Sequence, residues 1–366
     1  MSASVTLQEA AEFLKANDHY LILSHRRPDG DTVGSCAALC RALRALGKQA
    51  WVYPNPQFTP KYAPFLDGLL AHDLAAGSRQ QATDTPAAAH SVRHAVPRSD
   101  ESPVTSHQPP ADDPQAVDQF SILNSQFTVI TCDIATQDLF PFGAEDLTAD
   151  LAIDHHGTND GFAARTHTDE SKAACGELLT DLLPLLGVEL TKPIADALYV
   201  AVSTDTGCFR YANVTAGTFR AAALCAEAGA DVFGINRVFF ETKRRPRLLL
   251  EAHLTEEMEF FADGVVAVSA IPDSLIAELG LTEDDIDDIA GYGRTVEGVE
   301  IAVMLREVEG GKGKISLRCS PAFDAARICA RLGGGGHPGA AGASVPGGIP
   351  AAREAILRAI AEEIPL

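Results

Sequence analysis

Aromatic residues are scarce in this chain, and so is positive charge. Only 6% of the 366 residues are Phe, Trp or Tyr, with a single tryptophan, which argues against a nucleic-acid binder that stacks successive bases on exposed rings. Lys and Arg number 29 against 50 Asp and Glu, a net charge of −21. Such a balance keeps a protein soluble and repels long polyanions over most of its surface. An anionic substrate therefore needs a local cationic pocket or a bound metal, and a small one is easier to take than a duplex. The eight cysteines include no C-x-x-C pair, so a disulfide scaffold is excluded and buried free thiols are expected. No apolar stretch reaches membrane-spanning length, and the N-terminus lacks the basic start and continuous apolar core of a signal peptide. A cytoplasmic protein is expected.

Apolar content is 46%, and the length suffices for two domains with proper cores. Tyr20 to Ser24 reads as a buried strand ending on His25. After the turn at Pro28-Asp29-Gly30, Val33, Ala37, Cys40 and Leu43 recur at helical spacing, Gly47 sits where a C-cap belongs, and a second strand runs from Gln49 to Tyr53. This strand–loop–helix–strand unit is a βαβ signature. Residues 77 to 117 are rich in Ala, Ser, Pro, Gln, Asp and His and predict a disordered or loosely held insertion. Its His90, His94 and His107 have no ligand-like spacing.

Order resumes with strands over Phe127–Thr131, delivering Cys132 and Asp133, and over Leu151–Ile153, delivering Asp154-His155-His156. Helices are expected over 175–186, from about Thr191 to Gly207, and over 214–229. A helical connector interrupted at Pro246 spans 235 to 261. Strands at 265–271, 299–305 and 314–319 and a helix at 351–364 follow. Lys243-Arg244-Arg245-Pro246-Arg247 and the acidic stretch 283–288 read as solvated runs; the latter lacks the glycine and alternating ligands of a calcium loop.

Three histidines and several aspartates thus collect at strand ends, where open α/β sheets place ligands. His25 closes one strand, Asp29 and Asp31 share the following loop, and Asp133, His155 and Asp205 close three other elements. Imidazole mixed with several carboxylates suits a divalent ion such as Mn²⁺ and exceeds one structural zinc site. A pair of such ions about 4 Å apart activates water for attack on phosphorus. Separately, Gly333 to Gly336 leave backbone amides free to approach an anion, with His337 adjacent. Arg318, on a strand ending at Cys319, suits bidentate phosphate recognition; Arg306 is a weaker candidate of the same kind.

With these residues the chain resembles the DHH phosphoesterases that carry an associated C-terminal domain. The matching stretches are His25-x-x-Pro28-Asp29-Gly30-Asp31-x-x-Gly34-Ser35, Asp133 after its strand, Asp154-His155-His156, Thr204-Asp205-Thr206-Gly207-x-Phe209-Arg210, and Leu332 to Pro338 with Ala340. The resemblance covers nearly everything but the low-complexity insertion. It implies an α/β fold: an N-terminal parallel-sheet, Rossmann-like catalytic domain over 1–235, a helical linker over 236–262 and a smaller C-terminal α/β domain with a mixed sheet over 263–366, with substrate held in the cleft between domains.

The resemblance also implies roles. His25 and Asp29 would bind one metal, Asp31 and His155 the other, and Asp133 and Asp205 both. Asp154 would orient a ligating imidazole, and His156 would stabilise charge or assist proton transfer. Arg318, Gly334, Gly335, Gly336 and His337 would hold the substrate phosphate. Two Mn²⁺ ions, with Mg²⁺ or Co²⁺ as substitutes, would support hydroxide attack on short oligoribonucleotides such as pApA, or on adenosine 3′,5′-bisphosphate, giving nucleoside monophosphates. Cyclic di-AMP hydrolysis is the alternative substrate reading, and a nucleotide sensor without catalysis the alternative class. Partners are then small nucleotides, with neither long duplex nor membrane; a homodimer is compatible with all of this.

Overall fold

The computed structural model describes residues 2–71, 127–286, 288–308 and 310–364. The stretch 77–117 with its three histidines lies outside the described residues. The chain divides into two compact units, Met1–Glu241 and Thr242–Leu366.

The first unit is built on six parallel strands among the described residues: β1 (Ala3–Ser4), β2 (Tyr20–Leu23), β3 (Ala50–Val52), β4 (Thr128–Cys132), β5 (Leu151–Asp154) and β6 (Arg165–Thr168), in the order β1-β6-β5-β4-β2-β3. Strands β2, β4 and β5 are almost wholly buried, as strands covered on both faces must be. Their side chains alternate between two cores. Ile22, Ile130 and Ile153 face the helices, while Leu21, Leu23, Val129 and Ala152 pack against Ile134, Phe140 and Leu147. Each fully buried Leu or Ile among them stabilises the fold by roughly 1.5–3 kcal/mol.

The helices are α1 (Leu7–Ala16), α2 (Gly30–Ala45), α3 (Ala63–Leu66), α4 (Cys175–Leu186), α5 (Lys192–Asp205), α6 (Ala216–Glu227) and α7 (Val232–Asn236). Small residues let α2, α4 and α5 approach closely. A Cβ on Gly34 would lie 2.3 Å from the Ala197 carbonyl oxygen, and one on Gly176 would lie 2.4 Å from the Ala201 Cβ. This packing draws the start of α2, the start of α4 and the end of α5 to one place. From β2 the chain crosses over α2 to β3 on one side, whereas β4, β5 and β6 follow on the other. The reversal lies between β2 and β4, and in such sheets the crevice at the carboxyl ends of those strands is the ligand site.

Among the described residues the second unit carries a mixed sheet of β7 (Glu259–Phe261), β8 (Val266–Ile271), β9 (Ile301–Val308), β10 (Lys312–Cys319), β11 (Gly335–His337) and β12 (Ala340–Pro346), ordered β11-β12-β10-β9-β8-β7, in which β8 and β9 pair in parallel and the other neighbours antiparallel. Its helices are α8 (Arg245–Glu256), α9 (Asp273–Leu279), α10 (Glu283–Ile286), α11 (Ala325–Ala330) and α12 (Gly348–Ala361). One face of the sheet, with Ile315 and Leu317, packs against Ile356 and Ile360 of α12.

Two expectations change here. Pro246 does not interrupt a helix: it sits in the first turn of α8, where its missing N–H costs nothing. The end of the expected connector is also sheet, since β7 pairs with β8. The basic run and the acidic stretch pair with each other, Arg244 to Asp285 at 2.5 Å and Arg247 to Asp288 at 2.8 Å. All eight cysteines are free thiols. Among the described residues no helix is long and apolar enough to cross a membrane.

Candidate metal centre

The strand ends β2 and β4 are joined by one hydroxyl. Thr32 Oγ1 accepts from the His25 amide at 3.3 Å and donates to the Cys132 carbonyl at 3.0 Å. Asp29 caps α2, accepting from the amides of Asp31 and Thr32 at 3.0 and 3.1 Å, which fixes its carboxylate beside His25. Asp133 follows β4 with φ +61, a left-handed conformation that Asp tolerates better than most residues. His25 Nε2 then lies 3.6 Å from Asp29 Oδ1 and 3.7 Å from Asp133 Oδ2.

His155 gathers the other carboxylates. Its Nε2 lies 3.4 Å from Asp133 Oδ1, 3.6 Å from Asp205 Oδ2 and 3.7 Å from Asp31 Oδ2. Its Nδ1 is 3.2 Å from the Lys172 carbonyl. A carbonyl only accepts, so Nδ1 carries a proton and Nε2 is the nitrogen turned toward the carboxylates. Asp31 accepts from the Cys175 and Gly176 amides at 2.6 and 2.9 Å and from Ser35 Oγ at 3.1 Å, so the start of α4 holds it. Two adjacent triads with metal-ligand spacing emerge: His25, Asp29 and Asp133, and Asp31, His155 and Asp205. Asp133 also groups with His155 and His156, which places it between the two.

Asp154 is fully buried. Its Oδ1 accepts from the amides of His155 and His156 and lies 2.8 Å from His156 Nδ1, while Oδ2 accepts from Asn159 Nδ2 at 2.7 Å. The imidazole it orients is therefore that of His156; the ring of His155 is set by a backbone carbonyl instead. His156 is left with Nε2 as its unengaged nitrogen, and it is 40% exposed.

The electrostatics call for a cation. Burial, then the charges of Asp205 and Asp29, raise Asp31 to about 7. Burial and the surrounding carboxylates push Asp133 well above the ordinary range, and Asp205 is raised for the same first reason. Burial would lower His155, yet Asp31 and Asp205 outweigh it and hold the imidazole above its usual value. The ligand atoms of each group lie within 4.8 Å of one another, and at such separations two ionised carboxylates repel by at least about 3 kcal/mol at an effective dielectric near 20. Asp133 is only 3% exposed, and its Oδ1 has no hydrogen-bond donor. Buried polar atoms are seldom left so. A divalent ion satisfies the orphaned oxygen and neutralises the crowd at once, so the donor set fits the metal.

The candidates in the second unit lie apart in sequence but share one row of its sheet. Arg318 pairs across with Ala340, which pairs with His337, so all three project from the same face. Arg318 is half-buried, donates to its neighbour's Leu317 carbonyl, and has no acidic partner among the described residues. Arg306 instead binds Glu283 at 3.1 Å. The glycine run differs from the expected amide nest. The Gly333 and Gly334 amides donate to the Ala330 and Cys329 carbonyls, ending α11, so Gly334 has no N–H to offer an anion. Gly335 and Gly336 enter β11, and a Cβ on Gly336 would lie 2.5 Å from the Ala340 carbonyl oxygen. Close passage of β12 is thus one reason for glycine there; Gly335, Gly336 and His337 are exposed.

A parallel α/β sheet with two His/Asp triads at its switch point defines a metal-dependent hydrolase. The chain belongs to the DHH family: the model of the DHH family N-terminal domain matches residues 19–202, and that of the DHHA1 domain residues 263–364. A Thermus thermophilus protein described as a bifunctional oligoribonuclease and PAP phosphatase NrnA is 33% identical over 97% of this chain and 93% of its own length. A Bacillus subtilis protein of the same description is 26% identical over 59% of this chain and 69% of its own. The crystal structure of an exopolyphosphatase-related protein from Bacteroides fragilis has the same fold, with a TM-score of 0.78 over 97% of this chain and 95% of that one at 20% identity.

Several residues that build the site carry no motif signal. Thr32 acts on the Cys132 carbonyl, Asn159 on Asp154 and the Ile134 carbonyl, Asn213 on the Ala173 and Asp205 carbonyls, Glu177 on the Ala173 amide and Thr218, and Lys172 on His155 through its carbonyl, which no side-chain pattern reveals.

Proposed function

We propose that this chain is a two-metal phosphoesterase that hydrolyses short oligoribonucleotides, pApA among them, and adenosine 3′,5′-bisphosphate. The observation that carries the reading is Asp133, a buried carboxylate with an orphaned oxygen where two His/Asp triads meet. The description of the Thermus relative over nearly the whole chain supports the substrate class. His25 and Asp29 would hold one ion, Asp31 and His155 the other, with Asp133 and Asp205 reaching both. Mn²⁺ is the proposed metal, with Mg²⁺ or Co²⁺ as substitutes. Bound there, such ions supply an acidified water and positive charge for the phosphoryl oxygens.

The chain's own residues do the rest. Asp154 holds His156 with its Nδ1 protonated, so Nε2 is the atom that takes or gives a proton near the reacting phosphate. Arg318, with a guanidinium unpaired to any described carboxylate, would bind phosphate oxygens, and His337 in the same row would add a hydrogen bond; the Gly335 and Gly336 backbone is open enough to let an anion close. The net charge of −21 favours small nucleotides over duplexes, and a cytoplasmic setting goes with that substrate.

The test is turnover with Mn²⁺ on pApA, longer oligoribonucleotides, adenosine 3′,5′-bisphosphate and cyclic di-AMP, with Asp133→Ala as control. Preference for pApA and short oligomers, lost in the variant, is expected. Preference for cyclic di-AMP would move the protein to signal turnover, and silence on all four would overturn the proposal.

A further inference from the structure

The segment 172–176, running from beyond β6 into the first turn of α4, touches two members of one triad directly and is linked to the backbone of the third. The Lys172 carbonyl accepts from His155 Nδ1 at 3.2 Å. The Cys175 and Gly176 amides donate to Asp31 at 2.6 and 2.9 Å. Asn213 Nδ2 donates to the carbonyls of Ala173 and Asp205, each at 3.1 Å, and so ties the segment to the third member. Among the described residues no hydrogen bond runs from the segment to the side chains of His25, Asp29 or Asp133.

The segment is itself anchored by one buried carboxylate. Glu177, only 2% exposed, accepts from the Ala173 amide at 3.2 Å and from Thr218 Oγ1 at 3.0 Å through Oε2, and its Oε1 lies 3.6 Å from Lys172 Nζ. It therefore binds α4, α6 and the segment together, and the Ala173 amide it holds belongs to the same peptide group as the Lys172 carbonyl.

We propose that Glu177 is a positioning residue for the metal position of Asp31 and His155, the two ligands each assigned to that ion alone, and that it acts through the segment 172–176. This rests on the two-metal reading above. Partners that orient ligands in this way set metal affinity, because a ligand free to turn loses part of its binding energy to ordering.

The experiment is an Mn²⁺ binding isotherm on the chelator-stripped full chain, by calorimetry with ions counted by dialysis. Wild type should bind two ions. Glu177→Ala should weaken one binding step by about 10–100-fold and leave the other within about twofold. Glu177→Gln, which keeps an oxygen for the Ala173 amide and Thr218, should recover most of that loss. Asn213→Ala, at an exposed position where folding is not at stake, should weaken the same step. Equal weakening of both steps, or none in either variant, would overturn the inference. A wild-type chain that binds no Mn²⁺ would sink the two-metal reading itself, which is a different result.

Discussion

Replacing Asp31 by asparagine should flatten the pH dependence of stability of the metal-stripped chain. Asp31 is 1% exposed, and its carboxyl is raised from 3.8 to about 7 by burial and by the Asp205 and Asp29 charges. A group raised on folding contributes stability that is present in full below its unfolded value and is lost as pH rises through its folded value. The window therefore runs from about pH 4 to about pH 7, and the whole change is worth on the order of 4 kcal/mol. Between pH 5 and pH 8 about 3 kcal/mol of this should disappear from the wild type. Asp133, Asp205 and His155 are all shifted upward and share protons with Asp31, so the site titrates as one set in the same direction. Urea unfolding of stripped wild type and Asp31→Asn at both pH values measures it. Absolute stability is a poor readout, because asparagine meets the Cys175 and Gly176 amides with one oxygen instead of two; the difference between pH values is the quantity to compare. A wild type no less stable at pH 8 than the variant's own trend would refute the claim that buried carboxylates crowd without a cation.

Further perturbations separate the parts of the site. Mn²⁺ at about a hundred times its dissociation constant should stabilise the wild type by about 2.7 kcal/mol for each ion bound in the same unfolding assay at pH 8, and Asp133→Ala should show much less. Asp154→Asn should lower kcat through the tautomer of His156 while a binding isotherm still finds both ions. Arg318→Ala should raise KM for pApA by about 10–100-fold, the worth of a charged hydrogen bond of roughly 1.5–3 kcal/mol, and leave metal binding unchanged. Gly34→Val should destabilise the first unit by several kcal/mol in thermal unfolding, since even a Cβ would meet the Ala197 carbonyl at 2.3 Å and packed cores resist added volume.

Much of this was legible because strands buried on both faces leave apolar runs, and ligand-bearing residues follow them directly. Tyr20–Leu23, Thr128–Cys132 and Leu151–Asp154 lie within a residue of the expected strands and deliver His25, Asp133 and His155. Strand β6, Arg-Thr-His-Thr, has one buried residue in four and left no apolar run to read. Strands β7, β11 and β12 escaped for like reasons, being short, glycine-rich or half-open. The glycine run misled because two features share it: the end of α11 consumes two amides, and passage of β12 demands the missing side chains. What holds the ligands was illegible in principle. Thr32 meets Cys132, Glu177 meets Thr218, and Asn213 meets Ala173 across gaps that only the folded chain closes.

The most direct test of the central claim is release of AMP from pApA by the chelator-stripped chain as Mn²⁺ is returned, wild type beside Asp133→Ala. Turnover should be absent without metal, appear in the wild type as the second ion binds, and stay absent in the variant. Turnover by the stripped wild type, or by the variant at the wild-type rate, would contradict a catalytic role for the two triads that meet at Asp133.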